Sequence, residues 1–223
     1  PPDAAVRALR VVGRLPAPAG AARLRFVRTD LRDAALDSLA LRGADFTGAC
    51  LARASLAGAD LTGARLAGAQ LDSAVLEGAT LDSVRAARAW LRWAVLAGAR
   101  SRGGDLRQAV LTGAALDTVR LTDVSLSGAT LRCASLAGAT LERVTWSDAD
   151  LSWAWLADAR VLAPLGWDEI PRAESAYLHG ATLPPDAAAW TRAHDAEPGP
   201  LTQFQWRDRR RAARQVDPDC GEP

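Results

Sequence analysis

From Phe26 to Val161 the chain keeps a period of five residues without a slip. The run holds 28 successive positions at that spacing, and 24 of them are Leu or Phe; the exceptions are Ala86, Ser101, Trp146 and Val161. Two residues before each of these positions Ala stands in 20 of the 28 cases, with Val84, Gly104, Val119, Val124 and Val144 among the rest. A period of five is neither the roughly 3.6 of a helix nor the roughly 2.0 of a strand, so neither ordinary element can bury this set of leucines on one face. The chain must bury them another way.

A five-residue unit can form one side of a four-sided coil, with the central Leu and the Ala two places before it pointing inward. The other three residues face outward or make the corner. Four units close one turn, so the 28 units make seven coils. Coils stacked like parallel strands at about 4.8 Å give a rod roughly 34 Å long. The small inward residue follows from packing, because a square interior cannot hold two large side chains per side at close-packed density. Gly43, Gly48, Gly58, Gly63, Gly68, Gly78 and Gly98, each two places after a Leu or Phe, suit corners that need permissive backbone angles.

The units Ala44-Asp45-Phe46-Thr47-Gly48, Ala59-Asp60-Leu61-Thr62-Gly63 and Ala149-Asp150-Leu151-Ser152-Trp153 resemble the pentapeptide-repeat family, whose unit is Ala, Asp or Asn, Leu and two variable residues. The resemblance covers residues 24–163 and implies an all-β fold, a right-handed quadrilateral parallel β-helix of about seven coils with short helical caps. The second position departs from the family pattern, with Arg, Thr, Ser, Val or Trp often replacing Asp. Around the repeat, residues 1–23 read as an N-terminal cap and linker, with a helix over 3–12. Residues 164–200 read as an irregular segment in which Ala176-Tyr177-Leu178 and Ala181-Thr182-Leu183 form two units shifted in phase, followed by a helix over 186–194. Residues 201–223 read as a basic C-terminal helix, about 201–215, and tail.

Residues twenty apart share a column, so charges can be assigned to the four sides. The side centred on Leu36, Leu56, Leu76, Leu96, Leu116, Leu136 and Leu156 has no Arg, and its acids are Asp37, Glu77, Asp117 and Asp158. It should be smooth and negative. Asp37, Glu77 and Asp117 recur every forty residues, about 9.6 Å apart at the strand-stacking distance. The Phe26 side carries six Arg and three acids, the Leu41 side six and four, and the Leu31 side four and four.

The fourth coil, residues 84–103, holds Arg85, Arg88, Arg92, Arg100 and Arg102 with Trp90 and Trp93 and no acid, and has lost interior bulk at Ala86 and Ser101. Two readings stand: Arg and Trp stems lying over an underfilled coil, or a docking patch, since Trp and Arg dominate binding hot spots. Trp153, in the column of Trp93, and Trp155 on the neighbouring side would extend such a patch. The last segment, with Arg207, Arg209, Arg210, Arg211 and Arg214 after Phe204 and Trp206, reads as a solvated basic helix, an acidic-partner or nucleic-acid contact, or a homodimer contact through Phe204 and Trp206.

No phosphate loop, metal spacing or nucleophile motif occurs, and a convex rod offers no deep pocket. His179 and His194 are the only histidines, both outside the regular run; His179 beside Glu174 or Tyr177 is the one place for acid/base work. The chain is expected to be a non-enzymatic interaction scaffold with no cofactor, no metal and no sequence-specific nucleic acid. Its partner is expected to be a protein. The resemblance implies an alternative, because some family members bind DNA gyrase or topoisomerase IV as mimics of duplex DNA and confer antibiotic resistance, with negative rods that dimerise through a C-terminal helix. The repeat region carries 16 Arg against 15 acids, which fits such mimicry poorly. The basic residues are all Arg, with no Lys, Asn or Met in the chain, a skew expected of a GC-rich, bacterial coding sequence. No run of 18 apolar residues and no basic-then-apolar leader occurs, and Cys50, Cys133 and Cys220 are far apart. A cytoplasmic protein with no membrane contact and three free thiols is the expectation.

Overall fold

The computed structural model describes residues 24–171 and 176–183. The expected N-terminal cap, both C-terminal helices and the proposed dimer residues Phe204 and Trp206 lie outside the described residues. Within them the chain is a four-sided parallel β-helix. On each side the residue before the inward Leu bridges its equivalent twenty residues on, as in Ala35, Ser55, Val75, Val95, Ala115, Ser135 and Trp155 on the Leu36 side. On the Leu41 side the bridges widen into strands β1 (Arg100–Arg102), β2 (Arg120–Thr122), β3 (Thr140–Glu142) and β4 (Arg160–Leu162), which form a parallel sheet in the order β1-β2-β3-β4. Its register pairs Ser101 with Leu121, Leu121 with Leu141 and Leu141 with Val161.

The period of five follows from how the backbone satisfies itself. Leu56 N–H donates to Val75 C=O of the next coil at 2.7 Å and Gly58 N–H to Glu77 C=O at 2.8 Å, while Ser55 N–H donates back to Ala34 C=O at 2.9 Å. Ala59 N–H closes the corner on Leu56 C=O at 3.0 Å. The second corner residue has positive φ throughout, 63° at Gly58 and 67° at Gly63, but also 58° at Ser73 and 61° at Trp93. That angle turns the chain through the corner in the manner of a type II turn.

The inward leucines and alanines form one continuous core, with Leu56, Leu76 and Leu96 stacked in one column and fully or almost fully buried. At the N-terminal end Phe26 stacks on Phe46 with centroids 5.1 Å apart. In the fourth coil Ala86 and the neighbouring leucines line an apolar void of about 20 Å³. Ser101, buried in a Leu position, is satisfied by donating Oγ–H to Leu81 C=O at 2.8 Å. Gly104 replaces the usual Ala because a Cβ there would lie 2.5 Å from that Oγ.

Beyond Val161 the stack continues. Leu165 still bridges Thr145 twenty residues back, whereas Tyr177 bridges Trp155 and Thr182 bridges Arg160, an offset of 22. Residues 176–183 are therefore the two phase-shifted units. In place of a leucine the interior here receives Trp167 and Ile170, and Trp167 packs edge-on to Trp146 at 5.8 Å. The expectation of three free thiols is corrected at Cys133, which is disulfide-bonded, while Cys50 is free. That bond removes the ground for placing the chain in a reducing compartment.

Candidate interaction surface

On three sides the acids face arginines. A column spacing of about 4.8 Å brings charges twenty residues apart into contact, and Arg53 meets Asp33 at 2.7 Å, Arg92 meets Asp72 at 3.0 Å and Arg143 meets Asp123 at 2.7 Å. Within single units Arg32 grips Asp30 at 2.6 Å and Arg107 grips Asp105 at 2.8 Å. The Arg32 side chain and backbone N–H hold the Asp30 carboxyl at about 2. Hydrogen bonds from Arg53, Arg107 and Arg143 hold Asp33, Asp105 and Asp123 below the usual carboxylate range, and Thr47 does the same for Asp45. At Asp60, burial pushes the carboxyl up, but hydrogen bonds from Thr62 and Arg42 outweigh it and the net shift is downward. These exposed pairs organise charge more than they stabilise the fold.

The Leu36 side differs. Its wall is clad in Ala35, Ser55, Val75, Val95, Ala115 and Ser135, and no ion pair joins Asp37, Glu77, Asp117 or Asp158 to a described arginine. Asp37 and Asp117 are bound in the same way, each accepting from a serine hydroxyl of the next coil, Ser55 and Ser135. Glu77 and Asp158 are exposed. The wall is flat and carries negative charge that no described arginine offsets.

The fourth-coil residues do not gather into one patch. Arg85 lies on the Phe26 side, and Arg100 and Arg102 on the Leu41 side, opposite the Leu31 side that carries Trp90. Arg100 donates to Thr80 Oγ1 at 3.1 Å, and the Arg102 backbone N–H to Asp82 at 2.9 Å. Trp90 and Arg92 stay together on the Leu31 side, with Arg88 at the corner where the Phe26 side meets it. Trp90 is 46% exposed, Arg92 stacks over its ring at 4.9 Å, and exposed Arg88 is held by Gln108 at 2.9 Å. On the Phe26 side, round the corner from Trp90, is an open hollow of about 720 Å³, lined by Ala67, Gly68 and Ala87 and edged by Arg88 and Arg107. Trp93 instead lies over Gly113, where a Cβ would fall 2.3 Å from its ring.

Trp153 shares the Trp93 column and packs on buried Cys133. Trp155 was expected to face outward and extend the patch. It is 6% exposed, stacked at 3.9 Å on Tyr177, because the 22-residue offset sets Tyr177 directly beneath it, and it is not on offer to a partner. His179 is exposed, its ring 6.2 Å from that of Tyr177. Among the described residues no cluster of His, Cys, Asp and Glu could hold a metal ion, and no helix is long and apolar enough to cross a membrane.

A Leu and Ala core inside four parallel β walls, with its variable residues all outside, defines a β-solenoid built of five-residue units. The chain belongs to the pentapeptide-repeat family, whose model matches in 8 copies over residues 49–85, 89–128 and 120–160. A trypsin-treated form of QnrB1, described as a plasmid-mediated fluoroquinolone resistance protein, is 19% identical with a TM-score of 0.51, covering 82% of this chain and 91% of that one. HetL from the cyanobacterium Nostoc sp. strain PCC 7120, involved in heterocyst differentiation regulation, is 28% identical over 72% of this chain and 79% of that one, with a TM-score of 0.31. A pentapeptide-repeat protein of the Arabidopsis thaliana thylakoid lumen is 22% identical over 54% of this chain and 72% of that one, with a TM-score of 0.34. The likeness to QnrB1 is one of fold. No curated protein matches by sequence.

Proposed function

We propose that this chain is a non-catalytic interaction rod that docks a protein partner on its outer walls, with the Arg88, Trp90 and Arg92 strip as the anchor. The observation that carries this reading is Trp90, 46% exposed on the outside of a rigid β wall with the Arg92 guanidinium stacked at 4.9 Å. An amphipathic ring held in place by its neighbour has little side-chain entropy left to lose on binding, and Trp and Arg are the residues from which hot spots are built. The hollow on the adjoining wall, edged by Arg88, gives a partner side chain somewhere to sit. Trp90→Ala with Arg88→Ala should abolish retention of the partner on the immobilised protein while leaving circular dichroism unchanged; retention equal to wild type counts against the strip.

A second reading rests on the Leu36 side, where acids unopposed by described arginines recur along a flat wall. In that reading the wall stands in for duplex DNA and the partner is a type II topoisomerase. Charge density weighs against it, since acids about 9.6 Å apart are sparse beside a duplex with one charge per about 1.7 Å. The expected result is no inhibition of gyrase supercoiling at micromolar protein. Inhibition that disappears when Asp37, Glu77 and Asp117 are changed to Lys would establish the second reading instead.

A further inference from the structure

The Leu36 and Leu41 sides share a corner, and each carries charge of its own sign that the described residues leave uncompensated. The acids of the Leu36 side meet no described arginine. On the Leu41 side Arg100, Arg120 and Arg160 are exposed and stand in one column, and none is ion-paired to a described carboxylate. Arg100 lies directly opposite Arg120 in the register of β1 and β2. Like charges so placed destabilise a sheet, and the stack gains from an anion brought up to it from outside.

The two sets of charge match in height. Asp117 and Arg120 belong to the fifth coil and Asp158 and Arg160 to the seventh, so the acids and the arginines are each two coils apart, about 9.6 Å. Within one chain each acid and its arginine lie on either side of the corner and are not paired. Asp117 is already held in place: its Oδ1 accepts from the Ser135 hydroxyl, which leaves Oδ2 for a guanidinium. The corner between these sides is also the smallest of the four. Its second residue is Ser38, Gly58, Gly78, Gly98, Thr118 and Gly138 in the first six coils, whereas the other corners carry Arg53 and Trp93, Arg28 and Arg88, or Arg143.

We infer that four copies of this chain associate side by side as a parallel ring. The Leu36 side of each copy sits on the Leu41 side of the next, and Asp117 and Asp158 meet the Arg120 and Arg160 of that neighbour. Closure follows from shape. Adjacent sides of a four-sided rod face directions a right angle apart, so a contact between them without axial shift turns each copy by that angle and closes after four. The small corner then lies on the axis, where the copies converge and bulky side chains would hold them apart. Equal coil spacing in every copy lets both charge pairs form at once. An unrelated acidic protein has no reason to repeat at that spacing, whereas this chain's own wall does. Trp90 and Arg92, on the Leu31 side, face outward from the ring, so this inference stands apart from the docking proposal.

The test is the mass of the full chain in solution by sedimentation and light scattering. Exposed ion pairs are individually weak and screened by salt, so the ring should give four times the chain mass at low ionic strength and the single-chain mass in about 1 M salt. At low ionic strength Asp117→Arg alone and Arg120→Asp alone should each lower the mass to that of one chain, with circular dichroism unchanged. The two substitutions together exchange the charges and should restore the fourfold mass, which a merely structural defect at either site would not allow. A single chain at low ionic strength, a dimer, a mass indifferent to the single substitutions, or no recovery in the double variant would overturn the ring.

Discussion

At the scale of single residues the corners are the most telling positions. Gly63 has φ +67° and no atom within 4 Å of where a Cβ would stand, so Gly63→Ala meets backbone strain alone and should cost about 1–2 kcal/mol. Gly113 has φ +68° with the Trp93 ring 2.3 Å from its missing Cβ. Gly113→Ala adds displacement of that indole and should cost more, about 2–4 kcal/mol in urea unfolding. Equal losses at the two glycines would contradict this reading of the corner. The glycine corners were legible from the five-residue spacing. Trp93 and Ser73 in the same left-handed conformation were not singled out, because tertiary stacking imposes the angle there on residues that disfavour it.

At the scale of one strand or coil, each element contacts only the coil before and the coil after. Leu121, at the centre of β2, is paired with Ser101 and Leu141 and buried. Leu121→Ala should cost about 2–5 kcal/mol. Nearest-neighbour stacking further predicts where the damage falls. Amide exchange should accelerate around β1, β2 and β3 and stay unchanged near Leu41; uniform acceleration along the rod would show that the coils unfold as one. The stack of coils was readable because a period of five with alternating large and small residues closes in one way. Trp155 was misjudged because its environment depends on a two-residue lengthening of the last turn, at a point where the leucine frame had already ended. The bond at Cys133 escaped the sequence for a related reason: three cysteines far apart in the chain leave no local pattern.

For the molecule as a whole, the carboxylates set its response to acid. Asp33, Asp45, Asp60, Asp105 and Asp123 are all held below the ordinary range, and Asp30 lies at about 2. Each binds its proton more tightly when unfolded, so the stability it contributes is present above about pH 4 and is lost as pH falls through the folded values. The melting temperature should be level from pH 7 to about 4 and fall between about 4 and 2; a midpoint as high at pH 2 as at pH 5 would refute this. The strict spacing of twenty also governs how the rod tolerates insertions and deletions. Removing one complete coil shortens it by a single rung and leaves every wall with its own character. Removing one unit of five between Asp37 and Glu77 instead rotates everything downstream by a quarter turn, so that Arg100, Arg102 and Arg120 arrive on the wall that carries Asp37, at the places of Val95, Ala97 and Ala115. Whole rungs, not single units, are therefore the increments by which such a rod can change length and still present the same outer faces.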